Sequence, residues 1–110
     1  MKEKVGNVLL DLNITPNLNG FNYICDAIEI ISEEKAIPTC LLYEEVSKRN
    51  ESTPTKVERA IRHAFSKIDK ESENFKKYFG VKKLTNSSLL FTLYFKLKEE
   101  IENWVKKLYA

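Results

Sequence analysis

STPTKVERAIRHAF, residues Ser52 to Phe65, carries Lys56, Arg59, Arg62 and the chain's only histidine, His63, on a segment whose apolar residues recur with the period of a helix. At about 100° per residue, Val57, Ala60, Ile61, Ala64, Phe65 and Ile68 fall on one arc, and Lys56, Glu58, Arg59, Arg62, His63, Ser66 and Lys67 fill the other. Two overlapping start signals precede it: Thr53 with Pro54 at the first helical position, or Thr55 with Glu58 as a capping box. The stretch therefore predicts a helix over about 54–68 that buries one face. To solvent it shows the cations Lys56, Arg59, Arg62 and Lys67 against a single carboxylate, Glu58.

The segments on either side are helical too. Pro38-Thr39 starts a short helix over CLLYEEVSKR, with Leu42, Tyr43 and Val46 turned inward, and the polar NEST at 50–53 joins it closely to the basic helix. Towards the N-terminus, Val5, Val8, Leu9 and Leu12 mark a first helix that Ile14-Thr15-Pro16 is expected to stop, at the proline. Asn19-Gly20 opens a second, in which Phe21, Ile24, Ile28 and Ile31 repeat the pattern up to Glu33-Glu34. Beyond the basic helix, ESENFKKYF predicts a fifth helix ending at Gly80, and a long sixth begins near Thr85-Asn86-Ser87. No segment alternates convincingly with a period of two, and there is no internal repeat or low-complexity tract. The expected fold is all-α: six helices in a single domain that contains a helix-turn-helix over residues 39–68.

Composition bounds what such a domain can do. With 110 residues, 43% of them hydrophobic, the chain holds one modest core and no second domain. Lys and Arg number 18 against 16 Asp and Glu, so attraction to a polyanion has to come from local clustering. Cys25 and Cys40 lack metal or redox spacing and read as two small buried side chains of a protein in a reducing compartment. No signal peptide or membrane span is apparent, which points to a cytoplasmic protein without a membrane partner.

Three readings of the basic face compete: a solvated amphipathic helix, a catalytic or metal-binding segment, and a DNA-reading helix. Catalysis would need a second group beside His63, and the sequence offers no second histidine, glycine-rich phosphate loop, serine motif or carboxylates at metal-ligand spacing. His63 alone cannot hold a metal, because structural sites take about four ligands. An enzyme, a metal, a cofactor and a small-molecule substrate are therefore not expected. A recognition helix, by contrast, enters the major groove with its N-terminal turns, where Lys or Arg can donate to guanine and a carboxylate can accept from cytosine. Lys56, Glu58 and Arg59 occupy that first turn and a half, and Arg62 and His63 lie one turn on, suited to phosphate. Glu58 is the informative residue: it repels phosphate, so on a DNA-facing surface it makes sense only as a base reader.

TPTKVERAIRHA together with LYEEVSKRNES resembles the helix-turn-helix of the C-terminal effector domain of the sporulation response regulator, stage zero sporulation protein A. The core Val57 to Ala64 carries the resemblance most specifically, and NITPNLNGFNYICDAI, Phe79-Gly80 and TNSSLLFTLYFKL extend it over roughly residues 4 to 98. The resemblance implies a six-helix DNA-binding domain in a transcriptional regulator of sporulation, with base contacts from Lys56, Glu58 and Arg59 and backbone contacts from Arg62 and His63. It also implies duplex DNA as the partner, read at a short box, often with a homodimer or tandem copies on adjacent boxes. Lys56 stands where the family usually has Arg, which replaces a bidentate fork by a point charge. Asn50 stands where the family usually has an aromatic core residue, and the links around 32–38 and 66–74 are a few residues short. The family's regulator carries a phosphoryl-accepting receiver domain ahead of this one, for which 110 residues have no room. Either DNA binding is constitutive, or abundance or a partner controls it, or the chain is a piece of a longer protein.

The resemblance fades near Lys98, dividing the chain into an effector-like domain at 1–98 and a helical extension at 99–110. Leu90, Tyr94, Leu97, Ile101, Trp104 and Leu108 form a heptad-like seam that runs on into the extension. Leu89 to Leu97, apolar almost all round, reads as core. IENWVKKLYA gives the alternative function, a non-enzymatic interaction module that dimerises or docks on a partner through its C-terminal helix. Glu33-Glu34, Glu44-Glu45 and Glu99-Glu100 read as solvated, and Phe91, Tyr94 and Phe95 as packing rather than a base-stacking platform.

Overall fold

The computed structural model describes residues 2–79 and 85–109. Six helices follow one another: α1 (Lys2–Asp11), α2 (Asn19–Glu33), α3 (Thr39–Arg49), α4 (Pro54–Ser66), α5 (Glu73–Phe79) and α6 (Asn86–Tyr109). Among the described residues all regular structure is helical, and the expected stop at Gly80 lies outside them.

The centre of the molecule is α2, whose Ile24, Ala27, Ile28 and Ile31 are completely buried. α1, α3, α4 and α6 all pack against it, while α5 packs on α6. The periodic residues of α1, Val5, Val8, Leu9 and Leu12, all reach this core, as do Val57, Ile61, Ala64, Phe65 and Ile68. Ala60, expected on the same arc, is only half-buried, but the four buried residues of α4 still fix its rotation about its own axis, and with it the direction in which the basic face points.

The helix ends show how the chain is turned. α1 does not run on to Pro16; it ends at Asp11 because Asn13 takes a left-handed conformation with φ 65°. The Ile14 amide then donates to the Leu9 carbonyl at 2.8 Å and Asn13 to Leu10 at 3.0 Å, a Schellman closure with Leu9 and Ile14 both buried. α3 ends the same way. Glu51 sits at φ 50°, and the Ser52 amide donates to the Ser47 carbonyl at 2.9 Å. Thr53 next accepts a hydrogen bond from the Lys56 amide at 3.3 Å and Pro54 opens α4, so Thr53 with Pro54, not Thr55 with Glu58, is the start signal used. Thr85 caps α6 in the same manner, accepting from the Ser88 amide at 3.2 Å.

Three expectations are corrected by solvent exposure. Cys25 is buried but Cys40 is exposed, because it lies in the first turn of α3, on the side away from Leu42 and Val46. Phe95 is exposed within a segment expected to be core: α6 has body on one side only, and Leu89, Leu90, Leu93, Tyr94 and Leu97 occupy that side. Glu100, expected in solvent, is half-buried beside Lys4 of α1 at 4.0 Å.

Candidate nucleic-acid interface

The interface is built on α3 and α4, two helices in contact, joined by the four residues Asn50 to Thr53. Two polar clamps hold α3 to α2. Arg49 reaches Glu29 at 3.4 Å and Glu33 at 3.6 Å, and Asn50 Nδ2 donates to Asp26 Oδ2 and to the Val46 carbonyl, both at 2.8 Å. Asn50 thus fills its place as a half-buried polar link to a buried carboxylate. On the other side of α4, Gly20 lets α2 approach: a Cβ built there would lie 2.4 Å from the Ala60 carbonyl oxygen and 2.6 Å from the Ala64 Cβ. Only glycine permits that crossing.

With α4 clamped, Lys56, Arg59, Arg62 and His63 are all exposed and Glu58 is half-buried. The structure sorts them into two strips. Arg59 and His63, one turn apart, line an open depression together with Ala60 and the start of α2, Asn17 to Gly20. Leu18, the N-cap of α2, offers no side-chain acceptor, so the positive end of that helix faces the same depression as the two basic side chains.

Glu58 and Arg62 form the second strip, on the side of α3. Arg62 Nη1 lies 3.8 Å from Glu58 Oε1, an exposed ion pair one turn long and worth only a few tenths of a kcal/mol. Across the groove, the Tyr43 phenol of α3 is pushed above its ordinary value, first by burial and second by the Glu58 carboxylate. Glu58 is therefore paired with Arg62 and close enough to the Tyr43 phenol to act on it electrostatically, a relation the helical wheel of α4 alone does not show. Asn17 and Asn19, which the sequence alone does not single out as site residues, also line the depression, and their only signal is their position flanking a helix start. Among the described residues no three His, Cys, Asp or Glu side chains gather as metal ligands would, and no helix is long and apolar enough to cross a membrane.

Two packed helices joined by a tight turn, the second with its apolar side locked and its basic side open, define a helix-turn-helix DNA-binding domain. The chain belongs to the family of the sporulation initiation factor Spo0A C-terminal domain, whose family model matches residues 5–97. It is accordingly a DNA-binding domain of a transcription regulator of sporulation type, and not a member of an enzyme family. The match stops at Leu97, inside α6, which continues to Tyr109.

Proposed function

We propose that the chain reads duplex DNA by laying α4 in the major groove, with Lys56, Glu58 and Arg59 meeting base edges and Arg62 and His63 meeting the phosphate backbone. The observation that carries this reading is the exposure of Lys56 and Arg59 in the first turn and a half of a helix whose opposite face buries Val57, Ile61, Ala64 and Phe65. Glu58, ion-paired with Arg62 on the α3 side of the helix, would accept from one base and reject sites that present an acceptor there. The His63 side of the depression, beside the start of α2, suits a phosphate at the groove edge and leaves Arg59 to the base edges. We further propose that it binds in the cytoplasm as tandem copies on adjacent boxes, the arrangement that the sequence resemblance implies. We take 1–98 as the effector-like domain and 99–110 as a helical extension of it.

Fluorescence anisotropy of the whole chain, with a duplex carrying the family's 0A box and a scrambled duplex at several salt concentrations, tests the reading. Preference for the box together with a steep loss of affinity with salt supports it. Equal weak binding to both duplexes removes the proposed base contacts. A second reading rests on the exposed Trp104 and Leu108: the end of α6 is a protein-contact surface.

A further inference from the structure

We propose that the end of α6 is a self-association surface, on which two copies of the chain pair antiparallel through Ile101, Trp104, Val105 and Leu108. This rests on reading that end as a contact surface, and it names the occupant as a second copy. The four side chains share one arc of the helix, continuous with the arc that Leu90, Leu93 and Leu97 bury in the body. Past Ile101, itself half-buried, the body no longer covers that arc: Trp104 is 61% exposed, Leu108 58% and Val105 40%. Isolated exposed apolar residues are ordinary, but a tryptophan, a leucine and a valine on one stripe in two turns are not.

Charge selects the partner and its direction. Glu100 and Lys107 flank the stripe on the same edge, seven residues apart in the numbering. In an antiparallel pair the same edges meet head to tail, so Glu100 of one copy faces the partner's Lys107, and the reciprocal pair forms by symmetry. In a parallel pair the flanking residue that meets Glu100 is Val105, a carboxylate against an apolar side chain. On the other edge Lys98 already pairs with Glu102 at 3.7 Å, so its charges are met within the chain. Glu100 also lies 4.0 Å from Lys4, a long contact between two half-buried side chains that leaves room for a second cation on the carboxylate.

The area sets the strength. Taking roughly 150–250 Å² for a whole aromatic side chain, the exposed stripe offers on the order of 300–400 Å² per copy. That is at most half of the ~800 Å² per partner typical of a stable complex, so the dimer is weak and forms only toward the high end of the micromolar range.

Sedimentation velocity of the whole chain, from low micromolar to near millimolar concentration, decides the matter. The parent is expected to show a reversible monomer–dimer equilibrium, Trp104→Ala to stay monomeric, and Lys107→Glu to associate about ten-fold more weakly. The exchange Glu100→Lys with Lys107→Glu, made in a Lys4→Ala background so that the new cation meets no like charge within the chain, associates as strongly as Lys4→Ala alone, because both reciprocal pairs are re-formed. Each altered side chain lies at or near the surface, and circular dichroism and thermal melting confirm that the fold is kept. A parent that stays monomeric throughout overturns the second-copy proposal and leaves α6 open to other proteins. A dimer indifferent to Trp104→Ala, or an exchange variant that fails to recover, overturns the antiparallel pairing.

Discussion

Asn50 Nδ2 lies 2.8 Å from Asp26 Oδ2, a hydrogen bond that ties the end of α3 to the buried side of α2. The same amide nitrogen donates to the Val46 carbonyl at 2.8 Å, so one side chain both closes a helix and anchors it. Asp26 is only 8% exposed, and a bond to such a carboxylate contributes more than one between neutral groups. Asn50→Ala should destabilise the chain by about 1.5–3 kcal/mol, read as a lower urea midpoint with an unchanged slope. Asn50→Leu should lose as much, since an apolar replacement leaves Asp26 without this donor. Parent-like midpoints for both would show that the link contributes nothing to stability.

Gly20 and Ala60 mark the closest approach of α2 to α4. A Cβ at position 20 would stand 2.4 Å from a backbone oxygen that no rotamer change can move. Gly20→Ala improves helix propensity by up to about 1 kcal/mol, yet overpacking of this kind costs about 1–3 kcal/mol. The variant should be less stable in thermal melts. It should also bind both box and scrambled duplexes more weakly, because the shift that relieves the clash moves α4. Stability at or above the parent's would mean that the crossing is looser than the geometry shows.

Glu51 occupies the left-handed position, φ 50°, that closes α3. Residues with a Cβ pay roughly 1–2 kcal/mol there, and glycine gives back part of that through the freedom of its unfolded chain. Glu51→Gly should therefore raise stability by about 0.5–1 kcal/mol without altering DNA affinity, as the side chain takes no part in the proposed contacts. Asn13, at φ 65°, already carries a residue type tolerant of this conformation and should gain less from the same change.

What the sequence reveals of this molecule follows from what is periodic in it. The burial of Val57, Ile61, Ala64, Phe65 and Ile68 is written in their spacing, as are the core faces of α1 and α2, so six helices and the aspect of α4 are legible residue by residue. The corrections occur where local geometry or a neighbouring element decides. Pro16 is the stronger helix breaker on paper, but a Schellman closure at Asn13 acts first. Phe95 and Cys40 are apolar by type and exposed by position, because their helices have neighbours on one side only. The links Asn50–Asp26 and Arg49–Glu29 join residues more than a helix apart in sequence, which no periodicity encodes. The candidate site shares this divide: its residues are visible on the wheel of α4, whereas the pairing of Arg59 with His63 beside α2, and of Glu58 with Tyr43 beside α3, needs the packed structure.

Tyr43 couples stability to alkaline pH. Its phenol holds its proton above the ordinary value of 10.0 because of burial first and the Glu58 carboxylate second. The folded state thus binds the proton more tightly than the unfolded chain. That contribution is complete below the unfolded value and is lost as pH rises through the higher folded one. Tyr43→Phe keeps the ring and removes the titration, so its stability should fall less steeply than the parent's above about pH 10. Tyr78 is raised as well, chiefly by burial, and remains in both proteins, so the difference between the two urea curves isolates Tyr43. A difference that stays constant from neutral pH to above that value would remove the coupling.

Arg59 and Arg62 are adjacent turns of one helix face, but the proposed contacts assign them different kinds of energy. Arg59, beside the start of α2, reaches a base edge, so Arg59→Ala should weaken binding to the cognate box by about 1–3 kcal/mol and barely change the affinity for a scrambled duplex. Arg62 reaches phosphate, so Arg62→Ala should weaken both duplexes alike and lower the slope of log affinity against log salt by about 1. Glu58 connects the two through its ion pair with Arg62 at 3.8 Å. Its removal in Glu58→Ala takes away a charge that repels phosphate and a reader that discriminates bases. Affinity for the scrambled duplex should rise while the preference for the box narrows, a pattern that loss of a merely structural side chain does not produce. Anisotropy titrations of the three variants on both duplexes check this. If Arg59→Ala and Arg62→Ala proved interchangeable in their effects on box and scrambled DNA, α4 would not lie in the groove as proposed.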